Sequence, residues 1–83
     1  MKIQLKFFAS FTANLPEGSQ GNLATVNIPE GMTVHEVLDR YRIPRDLAQI
    51  VLVNGVFVTV PDRDQRCFNE GDTLAVWPAV AGG

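Results

Sequence analysis

Polar and apolar residues alternate through Lys2-Ile3-Gln4-Leu5-Lys6-Phe7, the period of a half-buried strand. A loop rich in Asn14, Pro16, Gly18, Ser19 and Gly21 follows. A second alternating run, Leu23 to Ile28, stops at Pro29 and Gly31, so the two runs predict a β-hairpin with a long connection. The pattern then changes period. Thr33 and Glu36 form a capping box, and Val34, Val37, Leu38 and Tyr41 fall at i, i+3, i+4 and i+7 as one apolar stripe. His35, Glu36, Asp39, Arg40 and Arg42 take the solvated side, which makes His35 a surface histidine. Pro44 should end the helix, because its ring disfavours helical geometry at Ile43.

After a turn through Arg45-Asp46-Leu47, two β-branched runs, Ile50 to Val53 and Val56 to Val60, flank Asn54-Gly55. Asn-Gly between such runs predicts a tight hairpin, since both turn residues need positive φ. Pro61 and the charged Asp62-Arg63-Asp64-Gln65-Arg66 read as a loop. Glu70-Gly71-Asp72 then turns into a last strand, Thr73 to Trp77. The order is β-β-α-β-β-β: an α+β fold with one helix on one sheet, read as a single domain over residues 1–83.

Strand parity extends this to the surface. Ile3, Leu5 and Phe7 share the face under the helix, which turns Phe8 outward with Lys2, Gln4 and Lys6. Leu74 and Val76 point in, so Trp77 points out. Val56, Val58 and Val60 are expected to point in and Phe57 out. A two-residue hairpin sets Val53 opposite Val56 and turns Leu52 outward. Phe8, Leu52, Phe57 and Trp77 would then form an apolar docking face for a partner, unless loop 12–22 folds over them or a bulge reverses one.

Composition removes several classes of function. With 46% hydrophobic and 19% charged residues the chain is globular rather than disordered. Net charge is −2 with no basic cluster, which gives nucleic acid and anionic lipid nothing to bind. Neither a membrane span nor a signal-peptide hydrophobic region is legible, and the lone Cys67 excludes an internal disulfide, so the expected compartment is the cytoplasm. One His and one Cys make neither a zinc site nor a Cys-His-Asp constellation. No phosphate-cradling glycine loop is present, so no metal or cofactor is expected on the chain itself. Cys67 reads as a small half-buried filler rather than a reactive thiol.

That leaves Ala81-Gly82-Gly83. Two glycines at an end are either a frayed tail or a chemical device. Without Cβ atoms they can thread a narrow slot in another protein and leave a carboxylate sterically open. Ionised at neutral pH, that carboxylate can attack an ATP phosphate held by a partner enzyme.

Several segments together resemble a known family. Leu5-Lys6-Phe7-Phe8-Ala9, Gly31-Met32-Thr33-Val34, Val53-Asn54-Gly55, and Glu70-Gly71-Asp72-Thr73-Leu74 through Pro78 to Val80-Ala81-Gly82-Gly83 fall in the order found in ubiquitin-like sulfur carriers of the MoaD/ThiS type. The likeness is greatest to small subunits of molybdopterin synthase. It covers nearly the whole chain apart from loop 12–22. Two positions depart from the pattern: Trp77 stands where phenylalanine is usual, and Pro78-Ala79 replaces Pro-Pro.

The resemblance implies a β-grasp fold, a mixed sheet of four to five strands with one main helix on one face. It implies that a ubiquitin-activating-type adenylyltransferase, using Mg-ATP, converts the Gly83 carboxylate to an acyl adenylate. A persulfide donor would then yield a thiocarboxylate. The molybdopterin synthase large subunit would take the tail and pass its sulfur to a pyranopterin. Ala81, Gly82 and Gly83 would be the working tail, with Phe8, Leu52, Phe57, Trp77 and Pro78 at the partner surface. A thiamine-pathway carrier, a protein modifier using the same activated tail, and an inert β-grasp binding module are the other readings.

Overall fold

In a computed structural model that describes residues 1–79, five strands form one mixed sheet. They are β1 (Lys2–Phe7), β2 (Leu23–Asn27), β3 (Ala48–Val53), β4 (Val56–Phe57) and β5 (Thr73–Pro78), with one helix, α1 (Val34–Arg40). The spatial order is β2-β1-β5-β3-β4. β1 runs parallel to β5, and the other neighbours are antiparallel. First and last strands therefore lie side by side at the centre, and α1 crosses one face.

The alternation in β1 does what its period requires: Ile3, Leu5 and Phe7 are fully buried, while Lys2, Gln4 and Lys6 are exposed. Leu74 and Val76 of β5 and Val51 and Val53 of β3 complete the sheet's half of the core, against Val34, Val37 and Leu38. Tyr41 is half-buried and meets Phe7 edge-on, ring centroids 6.2 Å apart. The capping box is formed: Glu36 N–H donates to Thr33 Oγ1 at 3.3 Å, and Thr33 N–H to Glu36 Oε1 at 3.0 Å.

The helix stops before Pro44 acts. Arg42 is left-handed at φ 62°, its N–H donates to the Asp39 carbonyl at 3.0 Å, and Ile43 N–H donates to the Leu38 carbonyl at 2.9 Å. These two bonds make a Schellman end, with buried Ile43 packing back toward the helix. Asn14 Nδ2 donates to the carbonyls of Tyr41 and Arg42 at 3.0 and 3.1 Å. The connection after β1 is thus tied to the end of α1; its first part, Ala9–Asn14, is a 3-10 turn, and Phe11 enters the core.

The Asn-Gly hairpin forms as expected, with Asn54 at φ 52° and Gly55 at φ 81°. Asn54 also reaches across to the turn before β5. Its Nδ2 donates to Asp72 Oδ1 at 2.8 Å, Thr73 N–H donates to Asn54 Oδ1 at 2.9 Å, and Asn69 N–H donates to Asp72 Oδ2 at 2.8 Å. Burial works against charge on Asp72, but the Asn69 and Asn54 bonds and nearby Arg66 outweigh it and hold the carboxyl below its usual range.

Three expectations are corrected. β4 has only two residues, so the chain leaves the sheet early; of the three valines expected inward only Val58 is buried, while Val56, on the inner face opposite Val53, and Val60 are 68% and 61% exposed. Arg63, expected in a solvated loop, is 1% exposed within the 3-10 turn Val60–Asp64. Its Nε donates to the Val58 carbonyl at 3.2 Å and a terminal nitrogen to the Ala48 carbonyl at 2.7 Å, so the guanidinium closes the edge of β3 that β4 leaves unpaired. His35 is 6% exposed rather than at the surface, with Nδ1 at 2.7 Å from Asp64 Oδ1. Asp64 draws the imidazole against the Val60–Asp64 turn and so buries a residue whose helical position reads as solvated. Among the described residues no helix is long and apolar enough to cross a membrane.

Candidate functional site

The face of the sheet opposite α1 carries the predicted apolar surface. Phe8 follows β1 in extended geometry, its N–H donating to the Val76 carbonyl at 3.1 Å, so strand parity continues for one more residue. That brings its ring onto Trp77, stacked at 4.1 Å with 2° between the planes. Trp77 pairs with Ile50 across β5 and β3; one step along, Ala75 pairs with Leu52, and Leu52 pairs with Phe57 of β4. Phe8, Trp77, Ile50, Leu52 and Phe57 therefore form one continuous surface over four neighbouring chain segments.

All four residues assigned outward by parity are on this face. Phe57 is 52% exposed, and Phe8, Leu52 and Trp77 are half-buried. Pro78, also half-buried, ends β5 opposite Ala48. Ile50, 38% exposed, belongs to the surface although sequence reasoning missed it. The signal is present in the chain, since Ile50 and Leu52 are two residues apart in one strand. Lys6, opposite Ala75, and Lys2 and Gln4 along β1 make the polar border.

The Phe8–Trp77 stack stands where β5 finishes, Trp77 being the residue before Pro78. Ala81, Gly82 and Gly83 lie outside the described residues. Cys67 is half-buried in an isolated bridge to Thr33 outside the five-stranded sheet, its thiol directed at the Gly31 carbonyl at 3.5 Å. No group of three His, Cys, Asp or Glu among the described residues is placed to hold a metal ion.

The site is thus a surface that can hold a partner, with no described constellation for bond-making of its own. The ThiS family model matches residues 10–83. No curated protein sequence matches the chain. Among solved structures, small archaeal modifier protein 1 from Haloferax volcanii is similar over 100% of both chains, at 22% identity and TM-score 0.67. A putative molybdopterin converting factor subunit 1 from Pyrococcus furiosus aligns over 95% of this chain and 98% of its own, at 20% identity and TM-score 0.66. The complex of subunits 1 and 2 of the molybdopterin-converting factor from Helicobacter pylori contains a chain similar over 100% of both, at 14% identity and TM-score 0.59. The fold is the ubiquitin-like β-grasp. With the family model covering almost all of it, the chain belongs to the ThiS family.

Proposed function

We propose that this protein carries sulfur on Gly83 for the dithiolene of molybdopterin. The observation that carries the reading is the family match running through Gly82-Gly83, joined to an apolar sheet face that ends at Trp77, one residue before Pro78. A ubiquitin-activating-type adenylyltransferase binds Mg-ATP; the Gly83 carboxylate attacks the α-phosphorus, and pyrophosphate leaves. The terminal sulfur of a protein persulfide then attacks the acyl carbon and expels AMP. A second thiol takes the S–S bond as a disulfide and releases the thiocarboxylate. In that form the tail enters the large subunit of molybdopterin synthase, where its sulfur passes to the pyranopterin.

The chain itself is the substrate of each step and catalyses none. Its own contribution is binding. From Pro78 to Gly83 six residues extend at most ~20 Å, enough to reach a buried centre in a partner. Docking on the sheet face offsets the entropy lost in ordering two glycines. Likeness to small archaeal modifier protein 1 supports a second reading, conjugation to other proteins through the same adenylate. The ThiS family model equally accommodates a thiamine-pathway carrier. Intact mass spectrometry of the chain from its native cell separates carrier from modifier. One oxygen exchanged for sulfur is the expected result. Attachment to other proteins would replace the carrier by the modifier, and an unmodified chain isolated with its partner enzymes would overturn both.

A further inference from the structure

At the end of β5 away from the aromatic stack, the hairpin asparagine carries a chemistry of its own. Of the five asparagines, only Asn54 precedes glycine. A peptide nitrogen whose residue has no side chain is the least hindered nucleophile that a chain can offer to the carboxamide before it. Here that nitrogen stands in the open. A Cβ on Gly55 would meet nothing within 4 Å, and Asn54 and Gly55 are both exposed, so neither packing nor burial keeps water away.

What opposes ring closure is a set of hydrogen bonds from the turn before β5. Asn54 Nδ2 donates to Asp72 Oδ1 at 2.8 Å, and Asn54 Oδ1 accepts from Thr73 N–H at 2.9 Å, so both ends of the carboxamide are held. The Asn54 main-chain N–H also donates to the Thr73 carbonyl at 2.9 Å. Asp72 is itself fixed: it is 7% exposed, and its Oδ2 accepts from Asn69 N–H at 2.8 Å. The side chain is thus directed across to β5 and away from the Gly55 nitrogen. To bring Cγ onto that nitrogen the carboxamide must rotate and give up both of its bonds.

We propose that Asn54 is a deamidation site which Asp72 and Thr73 keep closed in the folded chain, so that its conversion marks a chain in which this turn has opened. In the open turn the Gly55 nitrogen gives up its proton and attacks Asn54 Cγ. Nδ2 leaves as ammonia, and a five-membered succinimide remains. Water then opens the ring, at Cγ to give aspartate or at the Asn54 main-chain carbonyl to give isoaspartate. The aspartate keeps an acceptor for Thr73 but turns its second oxygen on Asp72 in place of the lost donor. Two carboxylates at hydrogen-bond distance repel, which opposes reclosure and makes the step one-way. Since β5 starts at Thr73, opposite Gln4 of β1, the mark loosens the first pair of the central ladder.

The test follows wild type, Asp72→Ala and Val76→Ala by intact mass and peptide mapping during incubation at neutral pH and physiological temperature. The readout is exchange of an amino group for a hydroxyl at residue 54. Loss of a hydrogen bond to a buried charge should speed the conversion about tenfold or more in Asp72→Ala. Val76 pairs with Phe7 and Val51 rather than with the turn, so Val76→Ala lowers global stability and should convert near the wild-type rate. An Asp72→Ala rate no higher than wild type overturns the inference. So does an equal rise in both variants, because global unfolding would then control the reaction. Asn54→Asp carries the product from the start and should melt about 5 °C or more below wild type. A variant that melts with wild type overturns the one-way step.

Discussion

Trp77→Ala set against Val76→Ala tests whether the open sheet face, proposed as the partner surface, is distinct from the core that holds the fold. Trp77 is half-buried, and its principal contact is the 4.1 Å stack on Phe8. Losing an aromatic pair costs roughly 0.5–1.5 kcal/mol beyond lost area, so the variant should be about 1 kcal/mol less stable and still folded. Val76 is fully buried. Its truncation removes two methyl-sized groups at about 0.8 kcal/mol each and leaves a cavity, for a total near 2–3 kcal/mol. Binding should reverse the order. A buried aromatic anchor contributes about 2 kcal/mol or more on truncation, which is roughly a 30-fold loss of affinity. Val76 does not touch the open face and should lose little affinity once folded. Urea unfolding measures the first pair of values, and calorimetry with the adenylating enzyme or the large subunit measures the second. A Phe8→Ala/Trp77→Ala cycle should recover about 1 kcal/mol of coupling in stability. If Trp77→Ala unfolds the domain more readily than Val76→Ala, or binds its partners as wild type does, the open face is not the docking surface.

Four further outcomes follow. Deleting Gly83, or adding one residue after it, should abolish adenylation and leave the melting temperature nearly unchanged; sulfur transfer by the shortened chain would end the carrier reading. Cys67→Ser should still form the thiocarboxylate by mass, and a folded serine variant that cannot be sulfurated would make the thiol part of the chemistry. Arg63→Ala should lose about 3 kcal/mol or more in urea unfolding, since it leaves the Ala48 and Val58 carbonyls without their donor and opens a cavity; a variant as stable as wild type would show that the guanidinium does not close the β3 edge. Asp72 has a depressed carboxyl pKa in the folded state, so its stabilisation is complete above the unfolded value of about 3.9 and is lost as pH falls through the lower folded value. The stability gap between wild type and Asp72→Ala should therefore narrow from pH 6 toward pH 3, and a constant gap would contradict the assignment.

The elements that follow a period are legible in the amino-acid sequence alone. β1, the stripe of α1 and the Asn-Gly hairpin each depend on residues within a few positions of one another, and each forms where the pattern puts it. Parity carries further, because a strand's two faces are fixed once one inward residue is known: Phe8, Leu52, Phe57 and Trp77 all fall on the open side. Ile50 obeys the same rule, two residues from Leu52, and its place on this face needs no other signal. The end of α1 is less accessible. Pro44 is the conspicuous breaker, but the termination is made by a left-handed arginine and two carbonyl bonds, and arginine carries no signal for that geometry.

What escapes the sequence is set by distance along the chain. His35 is polar at a position the helical wheel makes solvated, and only Asp64, 29 residues on, draws it in. Arg63 is a charged residue within a charged run, which locally means solvent. Its burial follows from the shortness of β4. Once the chain leaves the sheet after Phe57, the Ala48 carbonyl has no strand to pair with, and an unpaired buried carbonyl is costly enough to draw in the nearest long donor. The same shortness leaves Val56 exposed on the helix face, opposite buried Val53, and places Val60 in the 3-10 turn, exposed to solvent. One event, a two-residue strand, thus accounts for both departures from the expected pattern at this edge.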